Sequence, residues 1–130
     1  MAEVSYALRS FLLAESAITT AFGDRIGVDR IEDGAVYPFA IIKEVTANQL
    51  YSHDGQGNGE CLFQIDVYND QKIACDTNAA LIKTILSGYQ GMMNDVKIGK
   101  SFVTNSRGEW ATDGRHFRRI LEVKLGTERN

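Results

Sequence analysis

Few side chains of this sequence offer acid–base or nucleophilic chemistry. The chain contains two cysteines and two histidines. A thiol nucleophile must contact a base, so a small enzyme would combine Cys61 with His53 or His116, with Asp54 as a further candidate group. Nothing in the spacing of these residues brings them together, and no paired Cys or His spacing of a zinc site is present. We therefore expect surface histidines and small, buried, reduced thiols, and no catalytic residues.

A glycine-rich stretch, Asp54–Gly59, is compatible with two kinds of ligand loop. A dinucleotide-binding loop follows a strand and opens a helix, whereas this stretch precedes a predicted strand. A calcium loop needs a glutamate at a fixed distance, and that position is Ile65. We interpret the stretch as a hairpin loop in which glycine permits positive φ, and we expect no metal and no cofactor.

One basic cluster lies at residues 115–119. On a strand, Arg118 and Arg119 point to opposite faces, so the cluster is divided. The net charge of −3 also disfavours a protein dedicated to nucleic acid. We expect these arginines to form ion pairs with Asp66 or Glu122, or with a neighbouring subunit.

The element that organises the chain is a strand followed by a helix. Residues Phe63–Tyr68 alternate apolar and polar side chains, which is the period of a half-buried strand. The period then becomes helical from Gln71 to about Gly88. The predicted apolar stripe of this helix consists of Ala74, Asn78, Leu81, Ile82, Ile85, Leu86 and Tyr89. The strand and helix together predict the central unit of the core.

The remaining segments are assigned around this unit. We predict a helix at Glu3–Ala14, a second short turn that Ser16 caps and that runs through Ile18 and Phe22, and strands at Phe39–Val45, Val96–Thr104 and Arg115–Leu125. The intervening segments are predicted to be a loop (Asp24–Val36), a linker (Gly88–Asn94) and two polar excursions (Thr46–Glu60 and Asn105–Gly114). The order α-β-β-α-β-β predicts one α+β domain over residues 1–130, with a mainly antiparallel four-stranded sheet and its helices on one face.

The two excursions are longer than hairpin connections usually are, which favours a role outside the core. Their aromatic residues would give contact area at little entropic cost. Our candidate contact residues are Tyr51, His53, Asp54, Trp110 and Arg118. No segment approaches the roughly 20 apolar residues of a membrane helix, and we expect no export signal and no membrane partner.

The order and spacing of these elements resemble the tail completion, or tail terminator, proteins of long-tailed, lambda-like bacteriophages and prophages. The resemblance spans about Tyr6 to Leu125. It rests on five segments: Tyr37–Ile42, Asp54-Gly55, Phe63–Tyr68, Ile85–Gly88 and Phe117–Val123.

The resemblance implies a non-catalytic virion protein, made in the bacterial cytoplasm and located in the tail or neck. It implies a homo-hexameric ring, formed alone or only on the tail, that caps the tail tube and contacts the head–tail connector. DNA would pass through the ring without sequence-specific contacts. Two alternatives remain: another neck component, such as a head-closure or connector-adaptor protein, and the small enzyme based on Cys61.

Overall fold

A computed structural model describes residues 4–31, 36–51, 57–111 and 114–128, apart from the side chains of residues 47–51 and 57–58. In chain order the elements are α1 (Val4–Leu13), α2 (Ser16–Phe22), β1 (Ile26–Val28), β2 (Phe39–Tyr51), β3 (Gly57–Asn69), α3 (Lys72–Leu86), β4 (Gly91–Met93), β5 (Val96–Trp110) and β6 (Phe117–Glu128).

The strands form one six-stranded sheet in the order β1-β2-β3-β6-β5-β4, in which only β1 and β2 pair in parallel. The predicted α+β class is confirmed, but the predicted four-stranded sheet is wrong. The additional strands, β1 and β4, lie where we expected a loop and a linker. Each is three residues long, which is too short for an alternating pattern to stand out from its surroundings.

The two long excursions are also mostly strand. β2 continues to Tyr51, β3 begins at Gly57, and β5 continues to Trp110. Residues 104–110 of β5 are exposed whichever face of the sheet they lie on, so burial imposes no alternation there. Backbone hydrogen bonds to β6 hold this segment in the sheet, and such bonds leave no trace in side-chain polarity. His53 and Asp54 lie outside the described residues.

One face of the sheet, here called the helix face, packs against the helices. Phe63, Ile65 and Val67 of β3 are fully buried there and belong to a single apolar cluster with residues of all three helices. From α3 the buried members are Cys75, Ala79, Ile82 and Leu86. The buried side of α3 is therefore rotated relative to our prediction, which included Ala74 and Asn78 and omitted Cys75 and Ala79. Because β3 feeds directly into α3, the sequence-local unit is also the centre of the core.

The second face of the sheet mixes charged side chains with apolar ones such as Ile120, and it contains a fully buried carboxylate, Asp66. The Lys43 Nζ lies 3.1 Å from an Asp66 oxygen, and the Arg118 guanidinium lies 3.5 Å away. Gln64 donates a 2.9 Å hydrogen bond to the other Asp66 oxygen. The expected Arg118–Asp66 ion pair is thus present. Arg119 points to the helix face and pairs with Asp76 of α3 at 2.8 Å.

Replacing Ile65 with aspartate should prevent folding, because it places an unpaired charge in the apolar cluster. We expect a loss on the order of 5 kcal/mol or more, comparable with the whole stability of a domain. The matched control is Ile73→Asp, since Ile73 is 82% exposed at the start of α3. Thermal denaturation followed by circular dichroism would compare them. A cooperative transition for Ile65→Asp near the wild-type temperature would contradict the core assignment.

Removing the buried carboxylate with Asp66→Ala should lower the free energy of unfolding by about 2–3 kcal/mol. The cost stays below that of a completely buried pair because Lys43 and Arg118 can turn toward water. Glu122→Ala is the control: it removes a half-buried ion pair with Arg107 on the same face and should cost less than about 1 kcal/mol. Urea unfolding measures both, and equal losses would show that burial of Asp66 has no energetic role.

Candidate assembly surface

The structure describes some of the candidate contact residues and not others. Trp110 ends β5, is half exposed, and packs edge-on against Phe117 with ring centroids 5.1 Å apart. Tyr51 ends β2, and its backbone pairs with Gly57. His53 and Asp54, which follow Tyr51, are not among the residues that the structure describes. Their role in contacts stays a prediction.

The structure places Tyr51 and Trp110 at opposite ends of the sheet. β2 and β3 turn between Tyr51 and Gly57, whereas β5 and β6 turn beyond Trp110. The β3–β6 register shows that these turns are at opposite ends, because Gly59 pairs with Thr127 and Asn69 pairs with Phe117. The predicted contacts therefore form two separate surfaces.

Arg118 lies at the Trp110 end, where it pairs with Glu109 of β5, and is part of a row of alternating charges. Besides Asp66, its guanidinium contacts the Glu109 carboxylate of β5. The ion-pair row therefore crosses the second face from the β2 edge to the β5 edge, and its members are Lys43, Asp66, Arg118 and Glu109. Sequence reasoning found its centre but missed both ends, since neither Lys43 nor Glu109 can be placed until the strand register is known.

A second feature missed from sequence is an aromatic group near the Trp110 end. Phe39 stacks on Tyr68 at 4.8 Å and on Tyr37 at 5.6 Å, and the Tyr37 ring lies 5.3 Å from the His116 ring. The Tyr37 hydroxyl and His116 Nε2 are 3.4 Å apart. His116 therefore packs against an aromatic ring. No local pattern indicates this group, because Tyr37 precedes β2 and its partners Tyr68 and His116 are distant in sequence.

A shallow concavity of about 270 Å³ lies on the second face, toward the Tyr51 end. It is lined by Thr46, Glu60, Leu62, Thr104, Glu122 and Lys124. The Lys124 ammonium lies 3.2 Å from Glu60, and Arg107 pairs with Glu122 at 2.9 Å. With its charges paired, this surface suits polar contact with protein better than binding of a free anion.

The enzyme alternative fails for Cys61 with His116. Cys61 pairs with Leu125, whereas Phe117, next to His116, pairs with Asn69. At about 3.3 Å per residue, Cys61 and Asn69 are separated by roughly 26 Å along β3. Burial, followed by the charges of Glu44 and Glu60, raises the pKa of Cys61 to about 11. The thiol is therefore protonated at neutral pH and far from His116.

Cys75 is equally unsuited to nucleophilic chemistry. Burial raises its pKa to about 11, and its sulfur lies 3.1 Å from the Val67 carbonyl oxygen. Both thiols are free, as expected. Within the described ranges, no group of three or more His, Cys, Asp or Glu residues is arranged to hold a metal ion. No described helix is long and apolar enough to cross a membrane.

This chain is similar to known proteins in sequence profile and in fold. The profile of the family described as "Tail completion protein gp17" matches residues 6–128. A chain in the structure titled "Virion of native gene transfer agent (GTA) particle" is similar in fold, with a TM-score of 0.76 and 13% sequence identity, covering 97% of this chain and 95% of that chain. No curated protein matches this chain by sequence. Because the family match spans nearly the whole sequence, the chain belongs to the gp17 family of tail completion proteins, which are structural proteins of bacteriophage tails.

Proposed function

We propose that this protein ends assembly of the phage tail tube and forms the tail side of the head–tail junction, as a homo-hexameric ring. The observation that carries the proposal is that Tyr51 and Trp110, two of the candidate contact residues, lie at opposite ends of one sheet. The Tyr51 turn and the Trp110 turn lie at opposite ends of a continuous β2-β3-β6-β5 scaffold. A protein that joins two bodies needs one surface for each.

The partners follow from this arrangement. One end of the ring contacts the tail tube protein, and the other contacts the head–tail connector. A ring of identical copies related by rotation presents the same turn from every copy on each rim, so each rim repeats one set of contacts. The protein is located in the tail or neck of the virion.

The described surface also fits a ring through which DNA passes without specific recognition. Lys43, Arg107 and Lys124 on the second face are each paired with a carboxylate. Binding of phosphates depends on cations that can neutralise them and release counterions. Cations already paired within the subunit do this poorly, so sequence-independent passage is favoured over tight binding.

The first test of this function is the assembly state, alone and on tail tubes. Light scattering at high protein concentration, with negative-stain imaging of the same samples, should show a species of six 14.4 kDa chains or rings at tube ends. The control is the Ile65→Asp variant. Because it should not fold, it should form neither the six-chain species nor rings at tube ends. A strict monomer that also leaves tube ends unoccupied would contradict the proposal.

A second test separates a tail terminator from other neck components. If the protein is a tail terminator, deleting its gene should produce tails of abnormal length, because nothing stops tube growth. Loss of a head-closure or connector-adaptor protein should leave tails of normal length that fail to join heads. Electron microscopy of the mutant lysate measures tail length, and an unchanged length distribution would exclude termination.

A further inference from the structure

Both outer edges of the sheet have stretches without a partner strand among the described residues. β1 pairs with β2 only at Ala40–Ile42, so β2 is free on that side from Lys43 to Tyr51. β4 pairs with β5 only at Val96–Ile98, and Gly88 donates a hydrogen bond to the Ser101 carbonyl oxygen. β5 is therefore free on its outer side from Phe102 to Trp110. Unpaired backbone groups on an edge strand are a template for pairing with another chain.

The two free stretches, one in β2 and one in β5, have lengths, bulges and directions that allow them to pair with each other. They are of similar length, and each contains one β-bulge, between Glu44 and Thr46 in β2 and between Val103 and Asn105 in β5. β2 and β5 also run in opposite directions, because every step from β2 through β3 and β6 to β5 is antiparallel. If neighbouring copies are related by rotation, β5 of one copy meets β2 of the next in antiparallel orientation.

The charges of the ion-pair row indicate that the strand pairing with each edge belongs to a second copy of this chain. The row begins with a cation, Lys43, at the β2 edge and ends with an anion, Glu109, at the β5 edge. The Lys43 side chain is 40% exposed and the Glu109 side chain 50% exposed, so both retain capacity for a further partner. Placing copies side by side would bring Glu109 of one against Lys43 of the next.

From this geometry we infer that adjacent subunits join by antiparallel pairing of β5 with β2 of the next copy, with Glu109 opposite Lys43. The inference rests on the proposed ring and names its subunit interface. In this register, residues 43 and 109 both point to the second face, and residues 44 and 108 face each other on the helix face. Repeated around the ring, the ion-pair row becomes a continuous belt of alternating charge.

The backbone hydrogen-bond pattern agrees with this register. The Ala111 amide donates to the His116 carbonyl oxygen, so by alternation the amides of Ser106 and Gly108 point away from β6. On β2, the Ala40 amide donates outward to Arg25, and alternation turns the amide of Glu44 outward as well. Residues 44 and 108 can therefore exchange hydrogen bonds across the interface.

The register also sets the tilt of the strands. Within one copy, Lys43 lies level with Asn105 through Gln64 and Glu122. Pairing Lys43 with Glu109 instead of a residue level with it therefore shifts each copy by four residues, which is about 13 Å along the strands. Each copy contributes four strands to the repeat, which is about 19 Å across the strands. A ring closes on this shift when the strands tilt by roughly 35° from its axis, which is typical of closed sheets.

Disulfide cross-linking tests the register. Within one chain, residues 43 and 109 are about 19 Å apart, which is too far for a disulfide. A bond in Lys43→Cys/Glu109→Cys must therefore join two copies. Positions that face each other without exchanging hydrogen bonds suit disulfide geometry. We expect a ladder of covalent oligomers up to six chains on a non-reducing gel after mild oxidation of assembled protein.

The matched control is Lys43→Cys/Arg107→Cys, which moves the second thiol two residues along the same face. It should cross-link at least tenfold less, and melting curves should show that both double variants fold. Equal cross-linking of the two variants, or none in a variant that forms rings, would overturn the interface but leave the ring intact. Wild-type protein that is monomeric both alone and with tail tubes would overturn the ring and the interface together.

A proline substitution tests the backbone hydrogen bonds. Ser106→Pro removes an outward-pointing amide that β6 does not use, so the monomer should fold while subunit association weakens by up to about tenfold per lost bond. Ser106→Thr keeps the amide and should assemble like wild type. Normal assembly of a folded Ser106→Pro protein would overturn edge pairing. Hydrogen exchange completes the test: the amides of residues 106 and 108 should be protected in the ring, and exchange of these amides at the monomer's rate in protein shown to form rings would overturn edge pairing.

Discussion

The carboxylate of Asp66 has no exposed surface, and this constraint organises the middle of the sheet. A buried charge is tolerated only when cations and hydrogen-bond donors surround it. Here these groups come from three strands: Lys43 from β2, Gln64 from β3 itself, and Arg118 from β6. A shift of either neighbouring strand by one residue would turn the cation to the other face and leave the carboxylate unpaired. The register of β2-β3-β6 is thereby specified by electrostatics as well as by apolar packing.

The same register serves the opposite face of the sheet. Ile65, next to Asp66 in sequence, pairs with Leu121, and both are fully buried beneath the helices. One strand thus carries an apolar set under the helices and a charged set on the other side. The two sets reinforce each other, because the register that pairs Ile65 with Leu121 also brings Lys43 and Arg118 to Asp66. The second face can therefore remain polar without leaving the strand pairing ambiguous.

Sequence patterns predicted the parts of the fold in which burial changes with a regular period. The β3–α3 unit and the helix α1 are of this kind, whereas α2 was predicted only as a short turn. Patterns failed where structure depends on backbone pairing alone, as in the polar ends of β2 and β5 and the short strand β1. They also failed where a partner is distant in sequence, as for Glu109 beside Arg118 or Tyr37 beside His116. These contacts require the register, which no local window contains.

The opposite placement of the two hairpin turns has an evolutionary consequence. Each turn follows a long pair of hydrogen-bonded strands, so a change in one turn is separated from the other by nearly the full length of the sheet. Turn segments tolerate insertions and substitutions better than the strands that carry them. Selection can therefore change one end of the molecule without disturbing the other end. Lineages that exchange tail genes or head genes by recombination would be able to retain this scaffold and change a single turn.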